Sequence, residues 1–304
     1  MRAIVTGGAG FVGSHVAEAL VARGDEVHLL DSLVTGSREK VPAGAELHVG
    51  DIRSDAPALF DAVRPELVCH LAAQADVNTS VERPEYDAEV NVWGTLQILQ
   101  AARACGAHVV FSSTGGAIYG ECDGPAAEDA PLRPISPYGI SKLAAEGYVA
   151  GWNRLFGSHH VSLRFANVYG ARQEATLEGG VIAIFLERMA AGEPTTIYGD
   201  GKQTRDFIYV GDVVRGVLAA TEHAGGVYNI GTGVETSVNE LHAACRSVTG
   251  VDREPEYAEE RPGEIRRSVT DPGLAARELG WRAEASLDEG LKLTWQSLQE
   301  ATAA

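Results

Sequence analysis

Tyr138 and Lys142 are the residues of this chain best suited by type and spacing to move a proton. They lie in Ser136-Pro-Tyr-Gly-Ile-Ser-Lys142, where Pro137 favours the first turn of a helix, and residues four apart project from one helix face. A positive ammonium beside a phenol favours phenolate, drawing the tyrosine down from its ordinary value of about 10. Such a phenol can act as a general base toward a hydroxyl at neutral pH. An isolated Tyr-x-x-x-Lys is more often a plain helix-surface pair, so the assignment rests on the residues that accompany it.

The first of these is an N-terminal glycine turn. Ala3-Ile-Val-Thr6 is a short apolar run, Gly7-Gly-Ala-Gly10-Phe11-Val12-Gly13 follows, and Val16, Ala17, Leu20 and Val21 then recur at helical spacing. The pattern predicts strand, tight turn and helix. Without side chains at Gly7, Gly10 and Gly13 a pyrophosphate can approach the backbone, with Phe11 and Val12, and sit at the positive end of the helix. Gly24 closes the helix, Glu26-Val-His-Leu-Leu30 reads as a second strand, and Asp31 stands at its end. A carboxylate there accepts hydrogen bonds from the adenosine ribose and repels a 2′-phosphate, so NAD is expected over NADP.

Strand-like runs and helical stretches continue to alternate. Glu66–Leu71, Ala107–Ser112 and His160–Arg164 read as strands; about Val90 to Ala104 and Tyr138 to Phe156 read as helices. Strict alternation predicts an α/β fold with a doubly wound parallel (Rossmann) sheet covered on both faces. After Asn167 short Gly-, Pro- and Thr-rich segments interrupt single helices such as Val181 to Ala191, which predicts a smaller α+β substrate-binding lobe. We expect residues 1–166 to form the NAD-binding domain, with its sheet completed by about 205–235, and residues 167–304 to form mainly the lobe.

Composition sets outer limits. The 304 residues are 45% hydrophobic and 22% charged, enough for a full core in one or two domains. No apolar run is long enough to cross a membrane, and the first strand begins at the N-terminus, so neither a membrane partner nor a signal peptide is expected. A net charge of −17 argues against binding a nucleic-acid backbone. Cys69, Cys105, Cys122 and Cys245 show no Cys-x-x-Cys spacing and no Cys/His cluster, and His159-His160 reads as a strand entry. A reduced cytoplasmic protein without a metal is the expectation.

Taken together, Gly7-x-x-Gly10-x-x-Gly13, the Ser112-Ser113-Thr114 run and Tyr138-x-x-x-Lys142 resemble the extended short-chain dehydrogenase/reductase superfamily. Ser112–Gly120, Arg164–Gly170 and Gly199–Val210 resemble its nucleotide-sugar branch, most closely the UDP-glucose (UDP-galactose) 4-epimerases. The resemblance implies that Asp51, Ile52, Ala72, Ala73, Gln74 and Asn91 contact the cofactor. It implies that Thr114, or Ser113 in its place, bonds the sugar 4-oxygen. Asn167, Arg205 and Arg261 fall at diphosphate contacts, Tyr198 at the uracil, Val181 among the substrate-binding residues, and Glu264 at the uridine ribose in place of the usual aspartate. Ser268 falls where many epimerases carry a tyrosine beside the sugar 2-substituent, which would leave room for an N-acetyl group. A homodimer, formed by helices near Asn91–Ala104 and Tyr138–Phe156, is likewise implied.

The chemistry expected from this resemblance is oxidation at C4 of a UDP-hexose, rotation of the 4-keto sugar and hydride return to its other face. Two alternatives share the first step: a 4,6-dehydratase, and a UDP-glucuronate decarboxylase or 4-epimerase. Related dehydratases carry an Asp-Glu pair after the catalytic threonine, and decarboxylases a glutamate; Thr114 here is followed by Gly115-Gly116. A non-catalytic NAD-binding regulator is the alternative from another class, and intact Thr114, Tyr138 and Lys142 count against it.

Overall fold

The structure, a computed structural model, describes residues 1–175, 180–260 and 265–303. Six strands, β1 (Arg2–Thr6), β2 (Glu26–Asp31), β3 (Ala45–Val49), β4 (Leu67–His70), β5 (His108–Thr114) and β6 (Val161–Phe165), build one sheet with the later strand Gly226–Ile230. Its order is Gly226–Ile230, β6, β5, β4, β1, β2, β3, and every neighbouring pair is parallel. Side chains alternate across such a sheet. Ala3, Val5, Leu29 and Cys69 enter the core on one face, whereas Ile4, Leu30, Val68 and Phe111 enter the core on the other. Helices Phe11–Ala22 and Val210–Ala220 cover the first; Ala56–Val63, Gly94–Cys105 and Pro137–Phe156 cover the second.

Two elements differ from the sequence expectation. β3 lies outside it, because Ala45-Glu-Leu-His-Val49 mixes polar and apolar residues; it is the edge strand, and only one of its faces packs on the core. The single helix expected from about Val90 is instead preceded by two short helices, Val77–Glu82 and Pro84–Ala88, and a π-turn, Glu89–Trp93, that runs into Gly94–Cys105. The turn follows from side-chain demands: Asn91 turns inward, donating to the Gln74 carbonyl at 2.9 Å, to Asp87 at 3.0 Å and to Ser141 at 3.1 Å.

Beyond β6 a four-stranded sheet (Glu235–Ser237, Thr204–Tyr209, Arg267–Ser268 and Asn167–Tyr169) and the pair Thr196–Tyr198 with Glu256–Ala258 form the lobe, with helices Val181–Ala190 and Val238–Thr249. Buried Asp206 ties it to the main sheet. Its carboxylate accepts from Thr232 N (2.9 Å), Thr232 Oγ1 (2.6 Å) and Thr270 Oγ1 (2.8 Å), so Arg205 beside it is held at the boundary of the two parts.

A buried ion pair clamps the helix that carries Tyr138 and Lys142. Arg164 of β6 donates to both Glu146 oxygens, at 3.0 and 2.6 Å, and to the Tyr119 hydroxyl at 2.7 Å; Tyr119 in turn donates to Asn229. Arg164 and Glu146 are 4% and 5% exposed, so removing one charge strands the other in the core. Glu146→Ala should therefore destabilise the chain by about 3–5 kcal/mol, read as a lowered midpoint in denaturant. A midpoint unchanged from wild type would contradict the clamp.

Candidate active site

A cleft of about 1440 Å³ runs along the carboxyl ends of the main-sheet strands and out against the lobe. That is more than one small ligand requires, and it suits two nucleotide-sized molecules meeting end to end. Thr114, Tyr138 and Lys142 lie in its wall. Thr114 ends β5; Ser136 caps the helix Pro137–Phe156 by accepting from Gly139 N at 3.1 Å, which fixes the first turn on which Tyr138 sits. Burial pushes the Tyr138 phenol up to about 12, against which its hydrogen bond with Thr114 works. Lys142 is pushed down to about 7 by burial, opposed by the charges of Asp87 and Glu146. Its Nζ lies 4.5 Å from the centre of the Phe111 ring. The sequence expectation is that Lys142 depresses the phenol; in the protein alone burial sets the direction of Tyr138, and Lys142 is not among the groups that move it. Ser113, at 3% exposure, has a buried hydroxyl with no hydrogen-bond partner among the described residues, while Thr114 is the one bonded to Tyr138.

The glycine turn has the close approach that a dinucleotide needs. A Cβ on Gly13 would come within 2.0 Å of the Gly7 carbonyl oxygen, and one on Gly7, at φ +68°, within 2.8 Å of the Ala72 nitrogen. Helix Phe11–Ala22 begins at Gly10 with no side chain capping it, and Gly7, Gly10, Phe11, Val12 and Gly13 all line the cleft. Asp31 ends β2 with its carboxylate aimed by Ala9 N (2.9 Å) and Leu33 N (2.8 Å). Asp51, Ile52, Ala72, Ala73 and Gln74 line the same wall. The Arg53 guanidinium, at 2.6 Å, holds the Asp51 carboxyl below its ordinary range. These residues fit NAD, with the pyrophosphate on the glycine turn and the adenosine between Asp31 and Asp51.

On the lobe side the cleft meets Asn167, Val181, Tyr198 and Arg205. Arg205 anchors one guanidinium nitrogen on the Thr204 carbonyl at 2.8 Å. Arg261 and Glu264 lie outside the described residues. Two expected residues stand behind the wall. Asn91 does not line the cleft; its amide is committed to Gln74, Asp87 and Ser141, so it shapes the turn that carries Gln74. Ser268 is 4% exposed and donates to the Gly116 carbonyl at 3.4 Å, touching a residue of the cleft and not the cleft itself.

Sequence reasoning missed Asp87, Glu146, Phe111 and Gln203. Asp87 is 1% exposed, and with Glu146 it supplies the charge that opposes the burial of Lys142; Gln203 lines the cleft and donates to the Tyr198 carbonyl at 2.9 Å. Glu146 carries a signal in hindsight, standing four residues after Lys142 on the same helix face. Asp87 carries none, because a fold through three short helical segments brings it there.

Gly13→Ala should abolish stoichiometric NAD retention measured by equilibrium dialysis, since backbone cannot yield to a Cβ at 2.0 Å. Gly124→Ala, where a Cβ meets nothing within 4 Å, should leave it unchanged. Equal retention by the two variants would move the pyrophosphate off the turn.

Residues 3–231 match the model of the NAD dependent epimerase/dehydratase family. UDP-glucose 4-epimerase of Mycolicibacterium smegmatis is 42% identical over 304 residues, covering 97% of each chain. The crystal structure of UDP-glucose 4-epimerase with UDP-glucose from Thermotoga maritima superposes with a TM-score of 0.97 at 44% identity, covering 99% of this chain and all of the other. The Thermus thermophilus UDP-glucose 4-epimerase complex with NAD gives 0.94 at 45% identity, again over 99% of this chain and 100% of the other. With its glycine turn, Asp31 and the Thr114, Tyr138 and Lys142 corner arranged on one parallel sheet, the chain belongs to the NAD dependent epimerase/dehydratase family.

Proposed function

We propose that this chain is an NAD-dependent isomerase that interconverts UDP-glucose and UDP-galactose through a transient 4-keto sugar. The observation that carries the reading is the Tyr138 phenol, hydrogen-bonded to Thr114 and one helix turn from Lys142, in a cleft that also holds the glycine turn and Arg205. Bound NAD supplies the acceptor for the C4 hydride and gives it back to the opposite face of the sugar. Tyr138 takes the proton of the 4-hydroxyl and returns it, and Thr114 hydrogen-bonds the same oxygen. Lys142 reaches the nicotinamide ribose, and Asp87 and Glu146 favour its charged form. Arg205 pairs with the diphosphate, which must stay anchored while the hexose turns; a guanidinium suits phosphate oxygens, and it gives an acidic protein a local positive site.

Gly115 and Gly116 support epimerisation over elimination. A Cβ on Gly116 would point toward Asn167 Oδ1 at 3.2 Å and Thr114 Oγ1 at 3.9 Å, beside the reacting corner. A Cβ on Gly115 would come within 2.6 Å of Thr270 Cγ2. One position therefore faces the sugar without an acid, and the other has no room for one. A 4-keto hexose with no acid and base at C6 does not eliminate water there and is reduced again.

The same reading makes the enzyme a cytoplasmic homodimer. Ile140, Ala144, Tyr148 and Leu155 form one exposed stripe along the helix Pro137–Phe156, and Trp93 stands exposed before the neighbouring helix Gly94–Cys105. A second copy would cover both in a four-helix arrangement. The cysteines are all free, which suits a reducing compartment, and no helix among the described residues is long and apolar enough to cross a membrane.

Incubated with UDP-glucose, the protein should produce UDP-galactose and nothing else, and Tyr138→Phe should lower kcat by at least about 10²-fold while keeping UDP-sugar affinity. UDP-N-acetylhexosamines and UDP-glucuronate belong in the same panel. Release of water to a 4-keto-6-deoxy sugar, loss of CO₂, or full activity in Tyr138→Phe would each defeat the assignment. Light scattering should give close to twice 32.1 kDa, and Ile140→Glu with Leu155→Glu should give a monomer; a monomeric wild type would refute the dimer.

A further inference from the structure

We propose a divalent transition-metal site on the outer edge of the main sheet, formed by His28 of β2 with Glu46 and His48 of β3. β2 and β3 pair in parallel with His28 opposite Glu46, and His48, two residues on, projects from the same face. The three side chains converge. His28 Nδ1 lies 3.0 Å from His48 Nε2 and 3.5 Å from Glu46 Oε2, and His48 Nε2 lies 3.6 Å from Glu46 Oε1. Ligands about 2.0–2.1 Å from a tetrahedral zinc stand about 3.3–3.4 Å apart, so the cluster already has the spacing of a coordination sphere.

A fourth residue makes this more than a chance meeting of polar side chains. His28 Nε2 lies 3.1 Å from Glu26 Oε1, two residues earlier on the same strand face. Glu26 accepts only if Nε2 carries the proton, and neutral imidazole then offers a bare lone pair at Nδ1, toward His48 and Glu46. A carboxylate on the far nitrogen of a ligating histidine is the arrangement that fixes tautomer and ring in metal sites. His28 is 9% exposed, so its rotamer is set by packing, while Glu26 and Glu46 keep side chains 64% and 66% exposed and leave an entry path. Two imidazoles and a carboxylate select a late first-row cation over calcium or magnesium. A cation there would staple the edge strand to β2; β2 and β3 lead directly into Asp31 and Asp51 at the cleft.

The test uses the full chain, freed of metal with a chelator and titrated with Co²⁺ alone. One equivalent should bind with visible d–d absorption, without the near-ultraviolet charge-transfer band that a cysteine ligand would add, and Zn²⁺ should displace it. Glu26→Gln should weaken binding about 10–100-fold, and His48→Ala should weaken it further with an unchanged far-ultraviolet circular dichroism spectrum. His159→Gln, an exposed histidine in the loop before β6, serves as control and should bind like wild type. Absence of uptake at about 100 μM Co²⁺, affinity indifferent to His48→Ala, or a thiolate band would reduce the cluster to a hydrogen-bonded pair and overturn the proposal.

Discussion

Parallel pairing is the constraint on which the rest of this molecule depends. In an all-parallel sheet every strand delivers its carboxyl end to the same edge, so whatever follows each strand is brought to one line. The glycine turn after β1, Asp31 at the end of β2, Gly50 and Asp51 after β3, Ala72 after β4 and Thr114 at the end of β5 are far apart in the chain and adjacent in the cleft. No individual contact could assemble them. Burial of both sheet faces, with Val5 and Ile4 entering opposite cores, makes the register obligatory, because a slip of one residue would turn each strand inside out.

Two chains of buried polar groups run through this core. Arg164 connects Glu146, Tyr119 and, through Tyr119, Asn229, joining the Tyr138 helix, β6 and the last strand of the main sheet. Asn91 connects Gln74, Asp87 and Ser141, joining the turn after β4 to the same helix from the opposite side. Tyr138 and Lys142 thus stand on a helix gripped at two places by groups that would be costly to leave unpaired. The grip also sets the electrostatics, since Glu146 and Asp87 are the charges that oppose the desolvation of Lys142. Positioning and tuning are performed by the same side chains.

A protein of net charge −17 binds anions only where its backbone or a few guanidinium groups turn inward. Here the sheet half of the cleft has an uncapped helix start and glycines that admit close approach, and Arg205 lines the other half. The division follows from the architecture. The sheet half offers a helix N-terminus, whereas the lobe, built of short strands and loops, meets the cleft through side chains.

The one-turn spacing of Tyr138 and Lys142 on a helix, the glycine turn, Asp31, the alternation of strands and helices, and the change of texture after Asn167 were all legible in the sequence, because each depends on local spacing or on residue type within one element. β3 was not, since an edge strand with one wet face lacks the apolar signature of its buried neighbours. The committed amide of Asn91 and the retreat of Ser268 behind Gly116 depend on which neighbours fold against them, and spacing along the chain carries no information about those. For the same reason only tertiary structure puts Asp87 beside Lys142 and His28 beside His48: pairing across strands and through bent helical segments joins residues that the sequence keeps apart, and burial, which pushes the Tyr138 phenol up and the Lys142 ammonium down, does not exist until the core has closed.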